Sequence, residues 1–530
     1  MEALVATRWP EHDPATLVQR LIEAIGAPVV EPEPGLDQRT SLLITYADSL
    51  RRPGGEPLVT LRRFLDEELA GTVDTVHVLP FFPSSSDDGF AVIDHRAVRS
   101  DLGDWSDIEQ VARSTRLMAD LVVNHVSASS ERFREFREDR PPGRDAFFTV
   151  HPDDDLSGVT RARSHALIRP VGTPSGVRHV WCTFGPDQPD LDYRNPDVFV
   201  DLLRTVDTLL THGVRWLRLD AVAYVGKEPG TASVHRPQTH DLVRLLRLLV
   251  AHRCPAARMV AETNVPHEDN LSYLDGGDQA HLAYDFTLAP LLVHAALTQD
   301  TTILTRWLTD RRPPPVGSAL LLFLASHDGL GLRPVEGVLD ADAIATMIAA
   351  TEASGGVISS YDTPAGPRPY ELNVALADVL ADRTGPSRYR RFVAVHRALL
   401  SLAGVPAVYV HSLLASPGDR AGVEASGIAR RINRAVVEPA DGDSFVPTGE
   451  RGEVFRSLVS LLRERARLPA FSPDAPQEVL DLDPSVVAVR RGTGADAVLA
   501  VTNLSDRPAA VRYEGKEVAL GPWAGRWISL

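Results

Sequence analysis

The feature that most constrains the fold is a series of short apolar runs, separated along much of the chain by amphipathic helical patterns. Runs that are apolar throughout, rather than alternating, are typical of strands covered on both faces, and their alternation with helices indicates parallel βαβ units. Eight such units predict an α/β fold, namely a (β/α)8 TIM barrel. The runs are 41–48, 72–81, 117–125, 214–222, 258–263, 280–286, 319–328 and 404–412.

The remaining pattern divides the chain around this barrel. We expect an N-terminal helix and lead-in over 1–37, followed by the catalytic barrel over 38–126 and 198–452. After a terminal helix the apolar residues alternate with polar ones in several successive runs, which is typical of antiparallel strands. The region 453–530 is therefore predicted to hold that helix and a small C-terminal β-domain.

Two connections are too long for simple crossovers. Residues 127–197, after the third strand, are rich in Pro, Gly, Asp and Arg and are predicted to form an inserted B domain. Residues 329–385, after the seventh strand, are predicted to form an inserted loop region within the barrel. Long connections in compact domains are usually functional, so both are expected near the site.

Charge and cysteine content exclude several classes of function. The chain has 530 residues, a formal net charge of −16 and no basic cluster, so nucleic acid is not an expected partner. Cys182 and Cys254 give neither a disulfide framework nor metal-ligand spacing. The N-terminus lacks an apolar signal core, and no apolar stretch reaches membrane-spanning length. We therefore expect a cytoplasmic monomer or homodimer that does not bind membranes.

Polar residues at the predicted strand ends indicate catalysis, because chemistry in TIM barrels occurs at the C-terminal ends of the strands. Arg218 and Asp220 lie two residues apart on one strand and so project from the same face. Glu262 ends the fifth run, and Asp328 ends the seventh. Each has an ordinary explanation alone, such as a salt bridge, a helix cap or a turn. Together they predict three carboxylates and an arginine at one barrel mouth.

Four segments at these positions resemble the signature regions of the α-amylase superfamily of glycoside hydrolases and transglycosylases. The resemblance implies that Asp220 is the nucleophile, Glu262 the general acid/base and Asp328 a third carboxylate that stabilises the transition state. Retaining glycoside transfer requires a nucleophilic carboxylate and a second carboxyl that gives and then takes a proton. The segments are "DLVVNH" (120–125), "WLRLDAV" (216–222), "VAETN" (260–264) and "ASHD" (325–328).

The same resemblance implies the residues of a glucose subsite. His125, Arg218 and His327 would line it. The segments "LITYADSL", "VHVLPFFPSSSDDGFAVIDHRAV" and "DLDYRNP" resemble the sucrose phosphorylase branch in particular. In that branch the turn before "GF" closes over glucose, so Asp87 would accept a sugar hydroxyl and Phe90 would supply an aromatic platform.

The segment "RPYELN" (368–373) resembles a mobile loop of this branch that exchanges the donor and phosphate sites. Tyr370 and Glu371 would then reach the substrate. Glu371 stands where sucrose phosphorylases carry an amide, which weakens a fructose-specific interpretation. Arg434 resembles an arginine at the glucose subsite.

The segment "ASHDGLGLRPVEG" is similar to members of the branch that release an anionic acceptor, the glucosylglycerate and sucrose 6'-phosphate phosphorylases. Arg333 and Glu336 would face that acceptor, and arginine binds carboxylate or phosphate through a bidentate fork. A phosphorylated acceptor would call for several basic residues on one loop. The sequence offers only Arg333 and Arg178, so glycerate is the favoured acceptor, with fructose 6-phosphate or fructose as alternatives.

Four further residues lie near these motifs. Tyr224 and Lys227 lie just beyond the nucleophile and are expected to contact the acceptor; Lys227 is one of only two lysines in the chain. Arg430 and Arg431 are expected to be surface or packing residues.

The predicted activity is that of a retaining α-glucoside phosphorylase that produces α-glucose 1-phosphate, with inorganic phosphate as co-substrate. Asn124 stands where many amylases ligate calcium, but the phosphorylase branch does not generally need a metal, so no metal and no cofactor are expected. A hydrolase is one alternative, because water can replace phosphate. A non-catalytic amylase-like scaffold is another, but such proteins lose carboxylates that this chain retains.

Overall fold

The computed structural model describes residues 1–32, 35–161, 163–363, 366–382, 385, 387–439 and 444–530. Its centre is a closed barrel in which every neighbouring pair of strands is parallel. This confirms the predicted TIM barrel. In chain order the barrel strands are β1 (Leu42–Thr45), β2 (Thr75–Val78), β3 (Arg116–Val122), β4 (Val214–Asp220), β5 (Arg258–Ala261), β6 (Leu282–Tyr284), β7 (Ala319–Leu322) and β8 (Val405–Tyr409).

The strands form here because their side chains are buried on both faces, as their uninterrupted apolar character predicts. Helices cover the outside of the barrel. The longer ones are Pro57–Glu68, Trp105–Ser114, Pro196–Thr211, Pro237–Arg253, Leu288–Thr298, Thr302–Asp310, Arg390–Ser401 and Gly449–Arg465, and short helices lie at His267–Leu271, Leu376–Val379, Val410–Leu413 and Arg420–Ser426.

Two N-terminal helices, Glu2–Arg8 and Pro14–Ile25, pack against the barrel helices Pro196–Thr211 and Pro237–Arg253. The second was expected from its periodicity. Its first turn is fixed by the Asp13 carboxylate, which accepts a hydrogen bond from the backbone N–H of Thr16 at 2.8 Å.

The connection after β3 contains one helix and a small antiparallel sheet. The helix is Glu131–Arg137, and the strands are Thr149–Val150, Ile168–Thr173 and Gly176–Trp181. The connection ends where the backbone of 190–191 returns to bridge 125 and 147. These bridges set the inserted segment against the C-terminal end of β3.

The sequence predicted a loop region after β7, but this connection contains regular secondary structure. It contains the helix Ala341–Ala353, capped by Asp340, and a hairpin of Val357–Thr363 and Gly366–Asn373 that pairs with Leu330–Gly331. Segment 368–373 is therefore a β-strand. Pro367 and Pro369, within the longer strand Gly366–Asn373, weaken the sequence signal for a strand, and Pro369 lies where the pairing register shifts between Ser359 and Ser360.

The C-terminal region forms antiparallel sheets, as expected. Two buried arginines, Arg465 and Arg491, join it to the barrel by donating hydrogen bonds to backbone carbonyls, among them those of Leu400 (3.2 Å) and Ser401 (3.3 Å). Burial lowers the pKa of each to about 9. The strands are Gln477–Leu480, Val486–Arg491, Val498–Asn503, Ala509–Tyr513, Lys516–Leu520 and Gly525–Ser529. Within the described ranges, no helix has both the length and the apolar character needed to cross a membrane.

Candidate active site

The C-terminal ends of the barrel strands surround one cavity of about 500 Å³. Asp220 is the last residue of β4, and Glu262 directly follows β5, where its N–H still donates to the carbonyl of Leu219 at 3.2 Å. Asp328 lies beyond the end of β7. All three carboxylates line the cavity. The fold therefore brings the predicted catalytic set together.

Arg218 connects the carboxylates of neighbouring strands. Its Nη1 lies 2.7 Å from Asp220 Oδ1 and also contacts Asp120 on β3, while its Nη2 lies 3.9 Å from Glu262 Oε2. Asp120 is fully buried and is held on its other oxygen by His77 Nε2 at 2.8 Å. The guanidinium is thereby fixed from behind and spans the two carboxyl groups.

Asp220 and Glu262 titrate as a pair. Burial raises the pKa of both, and Arg218 opposes that rise. Because Arg218 lies nearer to Asp220, it stabilises the charge on Asp220 more strongly. The position of Arg218 therefore favours Asp220 as the charged member of the pair. A carboxylic acid beside a carboxylate is the combination that a general acid and a nucleophile need.

The backbone after β4 orients this acid. Ala221 has a left-handed conformation (φ 56°), and its N–H donates to Glu262 Oε2 at 2.9 Å. This hydrogen bond occupies one oxygen of Glu262. The proton is then left to the other oxygen, Oε1.

Asp328, in contrast to the acid Glu262, is held in its ionised form. Its Oδ1 lies 2.7 Å from Arg430 Nη1, 3.2 Å from Arg434 Nη2 and 3.5 Å from His327 Nε2. Burial alone would raise the pKa of Asp328, but the Arg430 and Arg434 guanidinium groups outweigh it and hold the pKa well below its usual range. Burial lowers the pKa of His327 to about 3, so its ring is neutral at physiological pH.

The predicted glucose-subsite residues meet at one end of the cavity. The rings of Phe90 and His327 are stacked, with centroids 5.0 Å apart and planes 14° apart. Gln188 links two others, since its Nε2 lies 3.1 Å from Asp87 Oδ2 and 3.0 Å from His125 Nε2. Gln188 was not identified from the sequence, because nothing in its local pattern separates it from a surface glutamine.

The predicted acceptor residues Tyr224, Arg333, Glu336 and Tyr370 also line the cavity. Arg333 Nη1 lies 3.4 Å from the hydroxyl of Tyr224, which is itself buried. Among the residues that the structure describes, no carboxylate lies within ion-pair distance of Arg333. Glu336, in contrast, already pairs with Arg368 at 2.8 Å on the exposed rim.

Glu371 does line the cavity, but it is paired. Its carboxylate accepts two hydrogen bonds from Arg430, at 3.0 Å from Nε and 2.7 Å from Nη2. Arg430 therefore bridges Glu371 and Asp328. The expectation that Arg430 is a surface or packing residue was wrong, because the helical turn Ala429–Asn433 places it in the wall of the cavity.

Two residues predicted to contact the substrate, Lys227 and Arg434, do not line the cavity. Lys227 is buried, with its Nζ 2.8 Å from Asn124 Oδ1 and 3.1 Å from Asp190 Oδ2. Arg434 lies behind Asp328. Both side chains are paired with neighbouring protein groups.

The lysine also bears on metal binding. Asn124 Nδ2 donates a hydrogen bond to Asp190 Oδ2 at 3.0 Å, and the Lys227 ammonium contacts the oxygens of both side chains. In the described part of the chain, no group of three or more His, Cys, Asp or Glu side chains is arranged to hold a metal ion.

The cationic character of the cavity exceeds what the sequence indicated. Arg178 is not part of it: its guanidinium lies over the Phe136 ring, 4.3 Å from the centroid, and donates to the Arg144 carbonyl. Six arginines line it, from the inserted segment, from β4, from the connection after β7 and from the turn after β8. They are Arg161, Arg163, Arg218, Arg333, Arg368 and Arg430. The premise that no basic cluster faces the acceptor is therefore wrong.

Comparison with known proteins agrees with this geometry. Residues 71–311 match the model of the α-amylase catalytic domain. A glucosylglycerate phosphorylase from Allomeiothermus silvanus is 42% identical over 97% of this chain and 94% of its own length. The chain belongs to the α-amylase family.

Other relatives agree on the branch. A glucosylglycerate phosphorylase from Escherichia coli K12 is 37% identical over 93% of this chain and 92% of its own. The crystal structure of sucrose 6F-phosphate phosphorylase from Thermoanaerobacter thermosaccharolyticum matches with a TM-score of 0.79 and 24% identity, over 92% of this chain and 99% of that one. The predicted family and its phosphorylase branch are thus confirmed.

Proposed function

We propose that this protein is a retaining phosphorylase that transfers glucose between glycerate and inorganic phosphate. The observation that carries the proposal is Arg333, a cavity-lining arginine without a carboxylate partner in the described chain, beside the Asp220–Glu262 pair. Near full-length similarity to glucosylglycerate phosphorylases supports the same acceptor.

The charge states of the carboxyl groups suit a double displacement. Asp220 would attack the anomeric carbon of the glucoside, while Glu262 gives its proton to the departing oxygen of glycerate. Glu262, now ionised, would take a proton from phosphate as phosphate attacks the glucosyl ester. Two inversions leave α-glucose 1-phosphate. Ionised Asp328, held by Arg430 and Arg434, would bind sugar hydroxyls and favour the positive charge that develops on the ring.

The acceptor side has the charge that this exchange requires. Glycerate and phosphate are both anions that must approach a site containing several carboxylates. Arg218 and Arg430 are already neutralised by Asp220, Asp328 and Glu371. Arg333, which has no carboxylate partner in the described chain, is therefore suited to attract the anion and orient it toward the glucosyl group.

Fructose 6-phosphate is a second candidate acceptor. The six arginines that line the cavity are the observation in its favour, because a phosphate group makes more charge-assisted hydrogen bonds than a carboxylate. Arg368 and Arg430 are already paired with glutamates, however, which leaves fewer donors for a second phosphate.

A reverse-direction acceptor screen tests the proposal. The enzyme receives α-glucose 1-phosphate with glycerate, fructose 6-phosphate, fructose or glycerol, and phosphate release is followed. We expect the highest kcat/KM with glycerate. A higher kcat/KM with fructose 6-phosphate would show that it, and not glycerate, is the preferred acceptor. Phosphate release that is equal with and without any acceptor would indicate a hydrolase.

A further inference from the structure

The turn between β2 and the glucose subsite is held in an unusual backbone conformation. Asp87 and Asp88 both lie in the left-handed region, with φ of 54° and 45°. Residues with a Cβ adopt this conformation only at a cost, and two in succession are uncommon. Contacts made elsewhere must therefore stabilise this turn.

Asp88 makes those contacts. Its Oδ1 accepts a hydrogen bond from Arg431 Nη1 at 3.1 Å, and its Oδ2 is paired with Arg434 Nη1. The Arg434 side chain is 2% exposed and that of Asp88 23%, so the pair is largely shielded from water. Such a pair is screened far less than one on the surface.

Arg434 connects Asp88 to the other side of the glucose subsite. Its Nε donates to the carbonyl of His327 at 2.8 Å, and its Nη2 lies 3.2 Å from Asp328 Oδ1. One buried guanidinium thus joins the turn after β2 to the end of β7. These are the two segments that carry Phe90 and His327, whose rings stack on each other.

We propose that Asp88 is a positioning residue for the glucose subsite. Asp88 itself does not line the cavity, whereas Asp87 and Phe90, on either side of it, do. Its ion pairs with Arg434 and Arg431 keep the turn in the left-handed conformation that presents the Asp87 carboxylate and the Phe90 ring. The proposal rests on the proposed function only in taking glucose as the transferred sugar.

The test uses Asp88→Asn, Asp88→Ala and Asp88→Gly. Asparagine keeps the size of the side chain but removes its charge. Glycine removes the ion pairs with Arg431 and Arg434 but adopts the left-handed backbone conformation without strain. Asp139→Ala is the matched control: Asp139 is also left-handed (φ 52°), caps the Ser175 N–H at 2.7 Å and lies outside the cavity wall. The substrates are α-glucosyl fluoride and α-xylosyl fluoride, whose reaction does not depend on the acceptor. A failed acceptor assignment therefore leaves this test intact.

We expect all three Asp88 variants to lose about 10- to 100-fold in kcat/KM for α-glucosyl fluoride, mainly through KM, since small misplacements of binding groups cost this much. The preference for glucosyl over xylosyl fluoride should fall, which a loss of folded protein alone would not cause. Asp139→Ala should retain wild-type kinetics.

Three results would overturn the proposal. Wild-type kcat/KM in Asp88→Asn would show that the charge pair does nothing for the subsite. Full activity in Asp88→Gly with loss in Asp88→Ala would show that backbone conformation alone matters. An unchanged glucosyl-to-xylosyl preference in all three variants would assign Asp88 a purely structural role.

Discussion

Replacing Arg333 by alanine tests the assignment of the acceptor most selectively. A unit charge about 4 Å from the glycerate carboxylate, at an effective dielectric constant of about 20, contributes about 4 kcal/mol. Arg333 is only partly buried, so solvent screening reduces this to about 2–3 kcal/mol. That corresponds to a loss of roughly 30- to 150-fold in kcat/KM for glycerate.

The assay is reverse phosphorolysis with glycerate or glycerol at saturating α-glucose 1-phosphate. Glycerol lacks the carboxylate, so its kcat/KM should change little in Arg333→Ala. Arg368→Ala is the matched control, because Arg368 also lines the cavity but is already paired with Glu336 on the exposed rim. Similar fractional losses for glycerate and glycerol in Arg333→Ala would refute the reasoning.

The remaining predictions concern the acid, the buried lysine and pH. Glu262→Gln should lose most activity on glucosylglycerate but retain it on α-glucosyl fluoride, whose leaving group needs little protonation; equal loss on both would exclude Glu262 as the general acid. Lys227→Met should lower the free energy of unfolding by about 3–5 kcal/mol, because it leaves buried Asp190 without its ammonium partner. Lys516→Met, at the exposed second lysine, should change it little, and an unaltered denaturation midpoint for Lys227→Met would contradict the account. Because the pKa of Glu262 is raised, kcat/KM for phosphorolysis should fall as the pH rises through that pKa and the general acid loses its proton, whereas a rate that rises there would contradict the assignment.

The barrel and the three carboxylates could be predicted because each leaves a local signal. Strands buried on both faces read as continuous apolar runs, and the parallel order of the barrel then places their final residues at one edge. Asp220, Glu262 and Asp328 needed no further information. The same topology places Phe90 and His327 at that end of the barrel, where their rings stack.

The errors concern residues whose partners are distant in sequence. Arg430 reaches Asp328 and Glu371 across about a hundred and about sixty positions, and no local pattern separates it from Arg431. The rarity of lysine drew attention to Lys227, but rarity does not distinguish a ligand contact from a buried ion pair with Asp190.

The helix Ala341–Ala353 has a recognisable N-terminal signal in the sequence. Asp340 precedes a run of good helix formers, and its carboxylate accepts a hydrogen bond from the Ala343 N–H at 2.9 Å. The adjoining hairpin was harder to predict, because Pro367 and Pro369 lie inside one of its strands.

Proton NMR of the first product formed from 2-O-α-glucosylglycerate and phosphate tests the central claim most directly. A double displacement through Asp220 predicts that α-glucose 1-phosphate and glycerate appear together in equal amounts. The β-anomer as first product would contradict retention, and free glucose in place of the phosphate ester would contradict phosphorolysis.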